Sequence, residues 1–392
     1  MARALRARPA LIALCAALAV AACADEAELA GPAPPGGALR FVALDAGYFH
    51  ACALSRGGDA YCWGGNSAGM LGDGTLESRA RPTRVEGTRG YSAIDAGAGH
   101  TCALDQAGRA WCWGHNDEGQ LGDGTSTPRR SPTAVAGGRQ FAAISAGHAH
   151  TCALEASGDA WCWGDDSSGQ LGDGPPAEQA RSNVPVRVHF DGEFAEVRAG
   201  YYQSCGIARD GRAWCWGANQ EGQIGDGTDS TRHTPAPVAS SASFRMLAPG
   251  DRFVCGTTSD EVLCWGANDF GELARGPSMG EAQPVEVGSF RGFVATSIGA
   301  STVGGARSYA CALRADDRAV CWGGRTGVLR PDRIEPTPLA GDIRFSALAA
   351  GPQFLCGLRV DGYAYCGGAN ASGQLGTGDL EDRAELSAVA GP

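Results

Sequence analysis

The sequence predicts an all-β fold, a seven-bladed β-propeller, and three observations support this prediction. A unit of about 50 residues recurs along the chain, and its first cysteine falls in turn at Cys52, Cys102, Cys152, Cys205, Cys255, Cys311 and Cys356. Within each unit, short apolar pieces alternate at period 2 between glycine-containing turns, which is typical of strands. A ring of four-stranded units also hides the lateral edges that separate sheets would expose.

Each unit contains four predicted strands in a fixed order. The first strand has a Phe-x-x-Ile pattern, the second His-x-Cys-x-Leu and the third Ala-x-Cys-Trp-Gly, while the fourth starts at a proline such as Pro82, Pro132 or Pro284. Proline at the start indicates a short edge strand. The chain enters on a first strand at Phe41 and leaves on residues 386–390, which align with residues 132–136. We therefore predict that the C-terminal strand pairs into the N-terminal blade and closes the ring.

Composition narrows the range of functions. The chain has 392 residues and a formal net charge of −11, and all 32 of its basic residues are arginine. Nucleic-acid binders concentrate basic surface that displaces counterions from phosphates, so this acidic chain predicts no nucleic-acid partner.

The N-terminus predicts export. Arg3, Arg6 and Arg8 precede an apolar run over residues 10–22 that is too short to span a bilayer, and the run ends in Val20-Ala21-Ala22-Cys23. This ending resembles a bacterial lipobox, which implies a signal peptide over residues 1–22 and lipidation of Cys23. A plain secretory signal is the alternative. Residues 23–37 are predicted to form a flexible tether, and residues 38–392 are predicted to form the propeller. The protein is therefore expected to be anchored by its lipid in the cell envelope, or to be secreted.

The repeats resemble those of the regulator-of-chromosome-condensation repeat family. That family carries Ala-Gly-x-x-His-(Ser/Thr)-x-Ala-Leu, a strand ending in Trp-Gly, and then Asn-x-x-Gly-Gln-Leu-Gly, and residues 99–125 match this pattern almost throughout. The resemblance implies seven-bladed propellers, and the exported lipoprotein branch of that family fits the N-terminus. It says little about function, since the family includes a nucleotide-exchange factor, β-lactamase inhibitors and exported bacterial proteins of unassigned role.

The cysteines predict one disulfide in each blade. With Cys15 in the signal and Cys23 as lipid anchor, the other fourteen of the sixteen fall into couples on the second and third strands: Cys52 and Cys62, Cys102 and Cys112, Cys152 and Cys162, Cys205 and Cys215, Cys255 and Cys264, Cys311 and Cys321, Cys356 and Cys366. Directly opposite residues of an antiparallel hairpin lie within disulfide range. Metal binding and reduced buried thiols are the alternatives, which the spacing and the export signal respectively disfavour.

Other recurring residues are interpreted as structural. His50, His100 and His150 share a position with Gln203, Phe253, Tyr309 and Phe354. A position that accepts these four residue types indicates packing and hydrogen bonding between blades, with a metal or catalytic site as the alternative. The aspartates of the Gly-Asp-Gly turns are interpreted as turn residues, with calcium binding as the alternative: Asp73, Asp123, Asp173 and Asp226.

The tryptophans before each Gly are predicted to form the blade core: Trp63, Trp113, Trp163, Trp216, Trp265 and Trp322. Trp111, Trp161 and Trp214, two positions earlier, are predicted to pack between blades.

The candidate ligand-binding residues occupy the loop between the first two strands. The pair between Ala-Gly and the histidine position varies most among the repeats, and seven such loops would form a rim on one face. The candidates are Tyr48, Phe49, His148, Tyr201, Tyr202, Asp251, Arg252 and Arg307. Tyrosine and arginine are frequent in protein-interface hot spots. The third blade has an insertion over residues 175–184 and the sixth unit has one over residues 299–308. These insertions would shape a pocket or a lip, or they would have no effect on function.

These features predict a membrane-tethered, extracytoplasmic binding module that engages an envelope or extracellular protein or glycan through one face. No local catalytic or metal motif occurs, so no catalytic residue, metal or cofactor is predicted, and the protein is expected to be a monomer attached to the membrane by its lipid alone. A propeller lyase or hydrolase acting on an extracellular polysaccharide or peptide is the alternative, because propeller active sites can assemble from distant blades. GTPase regulation, by family analogy, is a third alternative that export disfavours.

Overall fold

A computed structural model describes residues 37–87, 90–175, 180–288, 292–299, 308–324, 333–339 and 343–392. The described residues form seven antiparallel four-stranded sheets, in each of which consecutive strands are neighbours, and they contain no helix. The predicted all-β, seven-bladed propeller is therefore confirmed. The predicted signal peptide, Cys23 and nearly all of the predicted tether lie outside these residues.

The seven sheets are blades 1 to 7 in chain order. Blades 1 and 2 comprise β1 (Phe41–Ala46), β2 (His50–Ser55), β3 (Ala60–Gly64), β4 (Arg79–Arg84), β5 (Tyr91–Ala96), β6 (His100–Asp105), β7 (Ala110–Gly114) and β8 (Arg129–Ala134). Blades 3 and 4 comprise β9 (Ala143–Ala146), β10 (His150–Leu154), β11 (Ala160–Asp165), β12 (Arg181–Arg187), β13 (Phe194–Ala199), β14 (Gln203–Ala208), β15 (Ala213–Gly217) and β16 (Arg232–Pro237). Blades 5 to 7 comprise β17 (Met246–Pro249), β18 (Phe253–Thr257), β19 (Val262–Gly266), β20 (Glu281–Glu286), β21 (Phe293–Gly299), β22 (Tyr309–Arg314), β23 (Ala319–Gly323), β24 (Arg333–Pro338), β25 (Phe345–Ala350), β26 (Phe354–Arg359), β27 (Ala364–Gly368) and β28 (Arg383–Ala388).

The hydrophobic core lies between blades. One cluster joins Leu54 and Leu71 of blade 1 to Ile94 and Trp113 of blade 2, and the same combination recurs around the ring. A single sheet has two faces and no interior, so each blade buries its apolar side chains against its neighbours. Trp111 packs against the same inter-blade cluster, as predicted.

The tryptophans before glycine are fully buried core residues, as predicted. Trp113 lies at the interface with the preceding blade, where its Nε1 donates to the Met70 carbonyl at 2.9 Å. This contact explains the glycine of the Leu-Gly-Asp turn. A Cβ on Gly72 would lie 2.6 Å from Trp113 Nε1, and the φ of Gly72 is +64°.

The C-terminal strand does not complete the N-terminal blade, which corrects the predicted closure. β28 pairs with β27 in blade 7, while β1 to β4 form a complete sheet of their own. Because Arg79–Arg84 already supplies the fourth strand of the first unit, no strand position there is open. Blades 7 and 1 are instead joined by packing, with Trp63 Nε1 donating to the Gln374 carbonyl at 3.1 Å.

Every blade contains the predicted disulfide. In blade 1, Cys52 lies directly opposite Cys62 on the neighbouring strand, and the two Cα atoms are 4.1 Å apart. The other six pairs have the same Cα separation of 4.1 Å. Seven disulfides indicate an oxidising, extracytoplasmic environment. Over the described ranges, no helix has the length and apolar character needed to cross a membrane.

Candidate functional site on the rim face

The loops between the first and second strands have a constant backbone that carries variable side chains. The amide of Gly47 donates to the His50 carbonyl at 2.9 Å, and the same bond recurs at Gly97 and Gly147. Glycine is required here because blades approach closely: a Cβ on Gly97 would lie 2.4 Å from the Gly147 carbonyl oxygen. The pair of residues after each glycine is thus presented on one face in a repeated geometry.

The histidines that end these loops connect successive blades. His100 Nε2 lies 2.9 Å from Thr151 Oγ1, and that hydroxyl donates to the Gln120 carbonyl at 2.9 Å. Since the only hydroxyl proton is used, the imidazole must donate from Nε2. Burial lowers the pKa of His100 to about 3, so the ring is neutral. The same link joins His50 to Thr101, and His150 to Ser204.

The residue that receives this hydrogen bond changes together with the histidine. Where Phe253 or Phe354 replaces histidine, the receiving residue is Ala310 or Ala51, and the pairs share apolar clusters. Hydroxyl groups therefore occur where an imidazole needs an acceptor, and small apolar groups where a phenyl ring needs space. The interpretation of this position as packing and hydrogen bonding between blades is supported.

Four rim candidates from three blades meet in an aromatic cluster, which comprises Tyr48, His148, Tyr201 and Tyr202. His148 and Tyr201 are stacked with ring centroids 3.8 Å apart, and Tyr201 and Tyr202 are 4.3 Å apart. Tyr48 reaches across from blade 1 and contacts both His148 and Tyr201, at 5.8 Å and 6.0 Å. Phe49 extends the cluster outward, 6.2 Å from Tyr48.

The aromatic cluster is neutral and has a solvent-exposed apolar border. Burial lowers the pKa of His148 to about 4, and it raises the pKa of Tyr48 and Tyr201 above the usual value for tyrosine. Phe49 and Tyr202 are 44% and 38% exposed. The Tyr48 hydroxyl is buried and has no hydrogen-bond partner within the described part of the chain. The rings therefore present fixed apolar surface without charge.

The remaining three candidates do not join the exposed border. Asp251 is 3% exposed and its carboxylate contributes to the raised pKa of Tyr48, so it lies beneath the cluster. Arg252 is held between Glu221, at 3.1 Å, and Asp269, at 2.9 Å. Arg307 lies outside the described residues, as do residues 300–307 of the predicted sixth-unit insertion.

An axial cavity of about 350 Å³ lies beneath the aromatic cluster. Its polar wall includes Asp45, whose Oδ2 accepts the Ala96 amide at 2.6 Å, and Asp95, whose Oδ1 accepts the Ala146 amide at 2.7 Å. Burial raises the pKa of both carboxyl groups, and the neighbouring Asp45 raises the pKa of Asp95 further. Sequence reasoning missed these residues, although their recurrence one position after the apolar residue of the first strand was the available signal.

A groove of about 960 Å³ borders the aromatic cluster over blades 1 to 3. The groove is lined by Phe49 and Tyr202 beside the aromatic cluster and by Ala98 and Gly99 on blade 2, where the small size of these two residues leaves space. The groove is also lined by residues that sequence reasoning did not select, from the ends of β11 and β12 and from the loops between third and fourth strands in blades 1 and 2: Asp165, Arg181, Met70, His115 and Glu118. The groove can accept a bulky or extended segment of a ligand.

Three of the recurring aspartates, Asp73, Asp123 and Asp226, serve the turns, as interpreted. Asp73 Oδ1 accepts the Thr75 amide at 3.0 Å and Oδ2 accepts Arg79 Nε at 2.9 Å. Burial opposes ionisation, but these bonds outweigh it and hold the pKa of Asp73 below its usual value. Within the described ranges, no group of three or more His, Cys, Asp or Glu side chains is placed to hold a metal ion.

The fold and the rim define a disulfide-linked seven-bladed propeller with one aromatic, grooved face. The chain belongs to the RCC1-like domain family, whose model matches residues 36–390. Comparison with curated proteins finds no significant sequence match.

Solved structures agree on the fold. Human WBSCR16 superposes with a TM-score of 0.75 at 20% identity, covering 85% of this chain and 94% of that one. Prp20p from Saccharomyces cerevisiae gives 0.71 at 20% identity, with 80% and 81% covered. The CRINKLY WD40 ectodomain of the Arabidopsis thaliana receptor kinase ACR4 gives 0.55 at 22% identity, with 87% and 99% covered.

Proposed function

We propose that this protein is an extracytoplasmic binding module, held at the membrane by lipid on Cys23, whose protein partner docks on the rim face. The observation that carries the proposal is the aromatic cluster with its exposed Phe49 and Tyr202 beside the groove. Rings that already pack against one another lose little entropy when a partner covers them. Buried aromatic anchors are also the residues that dominate binding energy in protein interfaces.

A protein partner is favoured over a glycan by the state of the polar groups in the groove. Asp165 Oδ2 accepts Gln170 Nε2 at 2.7 Å, and His115 Nδ1 lies 2.9 Å from Gln120 Nε2. These groups are engaged internally, whereas a sugar needs free donors and acceptors. Protein binding also fits the relatives, since Prp20p is described with binding to Gsp1p and histones, and yeast RCC1 (Prp20) with Kap60 bound to it.

The test measures partner capture by paired rim variants. Phe49→Ala and Tyr202→Ala, in the oxidised protein, are expected to weaken retention of a partner from cell-envelope extract by about tenfold or more, the usual cost of losing an interface anchor. Val360→Ala is the matched control, because Val360 is 45% exposed in the β26–β27 turn on the opposite face. Melting temperatures should agree among all three variants.

The nature of the retained material then distinguishes the outcomes. A retained species that is destroyed by protease and lost in both rim variants supports the proposal. Material destroyed by periodate and resistant to protease would replace the protein partner with a glycan. Equal retention by wild type and both rim variants would show that the rim face is not the binding surface.

A further inference from the structure

The outer edge of blade 7 differs from the outer edges of the other six blades. In each blade, the glycine of the third strand pairs with a residue near the start of the fourth strand, as Gly64 pairs with Arg79 in blade 1. Three residues after that partner, blades 1 to 6 have proline: Pro82, Pro132, Pro185, Pro235, Pro284 and Pro336. In blade 7 this residue is Leu386. Natural sheets protect exposed edges with proline because it offers no N–H to an incoming strand. β28 alone among these strands lacks that protection.

Hydrogen-bond alternation shows which way the Leu386 amide points. The Val389 amide donates inward to the Ala364 carbonyl at 2.9 Å, and Ser387 lies opposite Cys366. Ser387 and Ala388 are in register with Cys366 and Tyr365, and β28 bulges between Ser387 and Arg383. Amides alternate between the two sides of a strand, so the two amides that flank Ser387, those of Ala388 and of Leu386 at the start of the bulge, point away from β27. In blade 1 the corresponding inward bond, from the Val85 amide to the Ala60 carbonyl, is also 2.9 Å, which places Pro82 on the outward side.

The open edge is also acidic. Glu381, Asp382 and Glu385 are all exposed, while Arg383 is paired with Asp379 at 2.5 Å. Negative charge therefore lies beside the amides that point outward. An extended segment with Lys or Arg side chains would match this edge in both hydrogen bonding and charge.

We propose that β28 binds an extended basic segment of a partner protein by strand addition. The Leu386 and Ala388 main chains would provide the hydrogen bonds, and Glu381, Asp382 and Glu385 would select the basic side chains. This surface lies on the circumference of the ring and is separate from the rim face, so it does not depend on the function proposed above.

The probe is a fluorescein-labelled, N-acetylated peptide, Val-Lys-Val-Lys-Val-Lys amide, titrated with the full-length oxidised protein by fluorescence polarisation. Saturable binding that weakens with added salt is expected, since exposed charges are screened. Leu386→Pro is expected to weaken binding by about tenfold or more, because it removes a main-chain donor. Glu381→Gln with Glu385→Gln should weaken binding by about fivefold, as expected for two exposed ion pairs.

The chain offers matched controls. Leu386→Pro copies what six blades already contain, so its circular dichroism should match the wild type. The melting temperature should fall only modestly, because Leu386 is a partly buried side chain packed against the cluster of Leu313, Ala319 and Phe345. Pro132→Leu opens the equivalent amide in blade 2, but Arg129 and Arg130 flank it, so this variant should gain no second site for the basic peptide. Tyr202→Ala should leave peptide affinity unchanged, which separates this surface from the rim.

Three results would overturn the proposal. The first is equal affinity of wild type and Leu386→Pro for the peptide. The second is equal binding of the acidic peptide Val-Glu-Val-Glu-Val-Glu amide. The third is a concentration-dependent dimer in sedimentation that Leu386→Pro abolishes while the basic peptide fails to bind, since the occupant of the edge would then be a second copy of the chain.

Discussion

The hydrogen bond between His100 and Thr151 makes a quantitative prediction about the blade interfaces. Replacing Thr151 by Ala removes the hydroxyl that accepts from His100 Nε2. The Gln120 carbonyl keeps its bond from Trp163 Nε1 at 2.9 Å, so the orphaned group is the buried imidazole N–H. An unsatisfied buried donor costs about 1 to 3 kcal/mol, and the lost methyl adds roughly 1 kcal/mol. We expect a destabilisation of about 3 kcal/mol.

The assay is equilibrium unfolding in guanidinium chloride, followed by tryptophan fluorescence at pH 7 without reductant. Thr151→Ser is the matched control, because Ser204 performs the same task for His150. It should lose only about 1 kcal/mol, the cost of the buried methyl group, because the hydrogen bond is retained.

A double-mutant cycle isolates the pair. His100→Phe combined with Thr151→Ala recreates the Phe and Ala combination found at Phe253 and Ala310. Removing both partners of a buried hydrogen bond is nearly neutral, so the double variant should be more stable than Thr151→Ala alone by at least about 1 kcal/mol. Additive effects, or a Thr151→Ala variant as stable as wild type, would refute the reasoning.

Three further predictions concern pH, redox state and localisation. The pKa of His100 is about 3 in the folded protein, against 6.5 for an unperturbed histidine, so below about pH 6.5 the unfolded state binds a proton that the folded state does not, and stability falls as the pH drops. Near pH 5 this effect of His100 amounts to up to about 1.4 kcal/mol per pH unit. When unfolding is measured as a function of pH, the His100→Phe, Thr151→Ala double variant should lose that part of the slope. The fourteen paired cysteines should give no thiol signal when the unreduced protein is denatured and titrated with Ellman's reagent, and any signal in a Cys15→Ser, Cys23→Ser background would contradict the pairing. Cys23→Ser should move the protein from the detergent phase to the aqueous phase in Triton X-114 partitioning, and unchanged partitioning would exclude lipid on Cys23.

Much of the fold could be predicted because each of the seven repeats indicates the same local structure. Period-2 apolar patterns, positive-φ glycines and the cysteine couples each depend on residues close in the chain, which is why the strands and the Cys52 to Cys62 pairing were predicted correctly. The closure was not, because the first unit's own fourth strand fills the position that the C-terminal strand was expected to take. Whether a strand position is open depends on which unit each strand joins, and aligned repeats do not specify that.

The candidate site shows the same division. Variability among repeats identified Tyr48, His148, Tyr201 and Tyr202, since the scaffold does not determine their identity. It could not show that Tyr48 meets residues of blades 3 and 4, or that Arg252 is held by two carboxylates. The other residues that line the groove were missed because they belong to third and fourth strands and to the loops between them, which only the folded blades bring beside the rim.

By itself, the sequence determined the blade count, the order of strands, the disulfides and the loops that vary, because each follows from residues within one unit. The tertiary structure decided that the tryptophans face the preceding blade, that the ring closes by packing without strand exchange, and that aromatic side chains from three blades form one surface. These features depend on how neighbouring sheets are stacked around the axis, and a stacking contact joins residues that lie about one repeat or more apart. Only the closed ring brings those residues together.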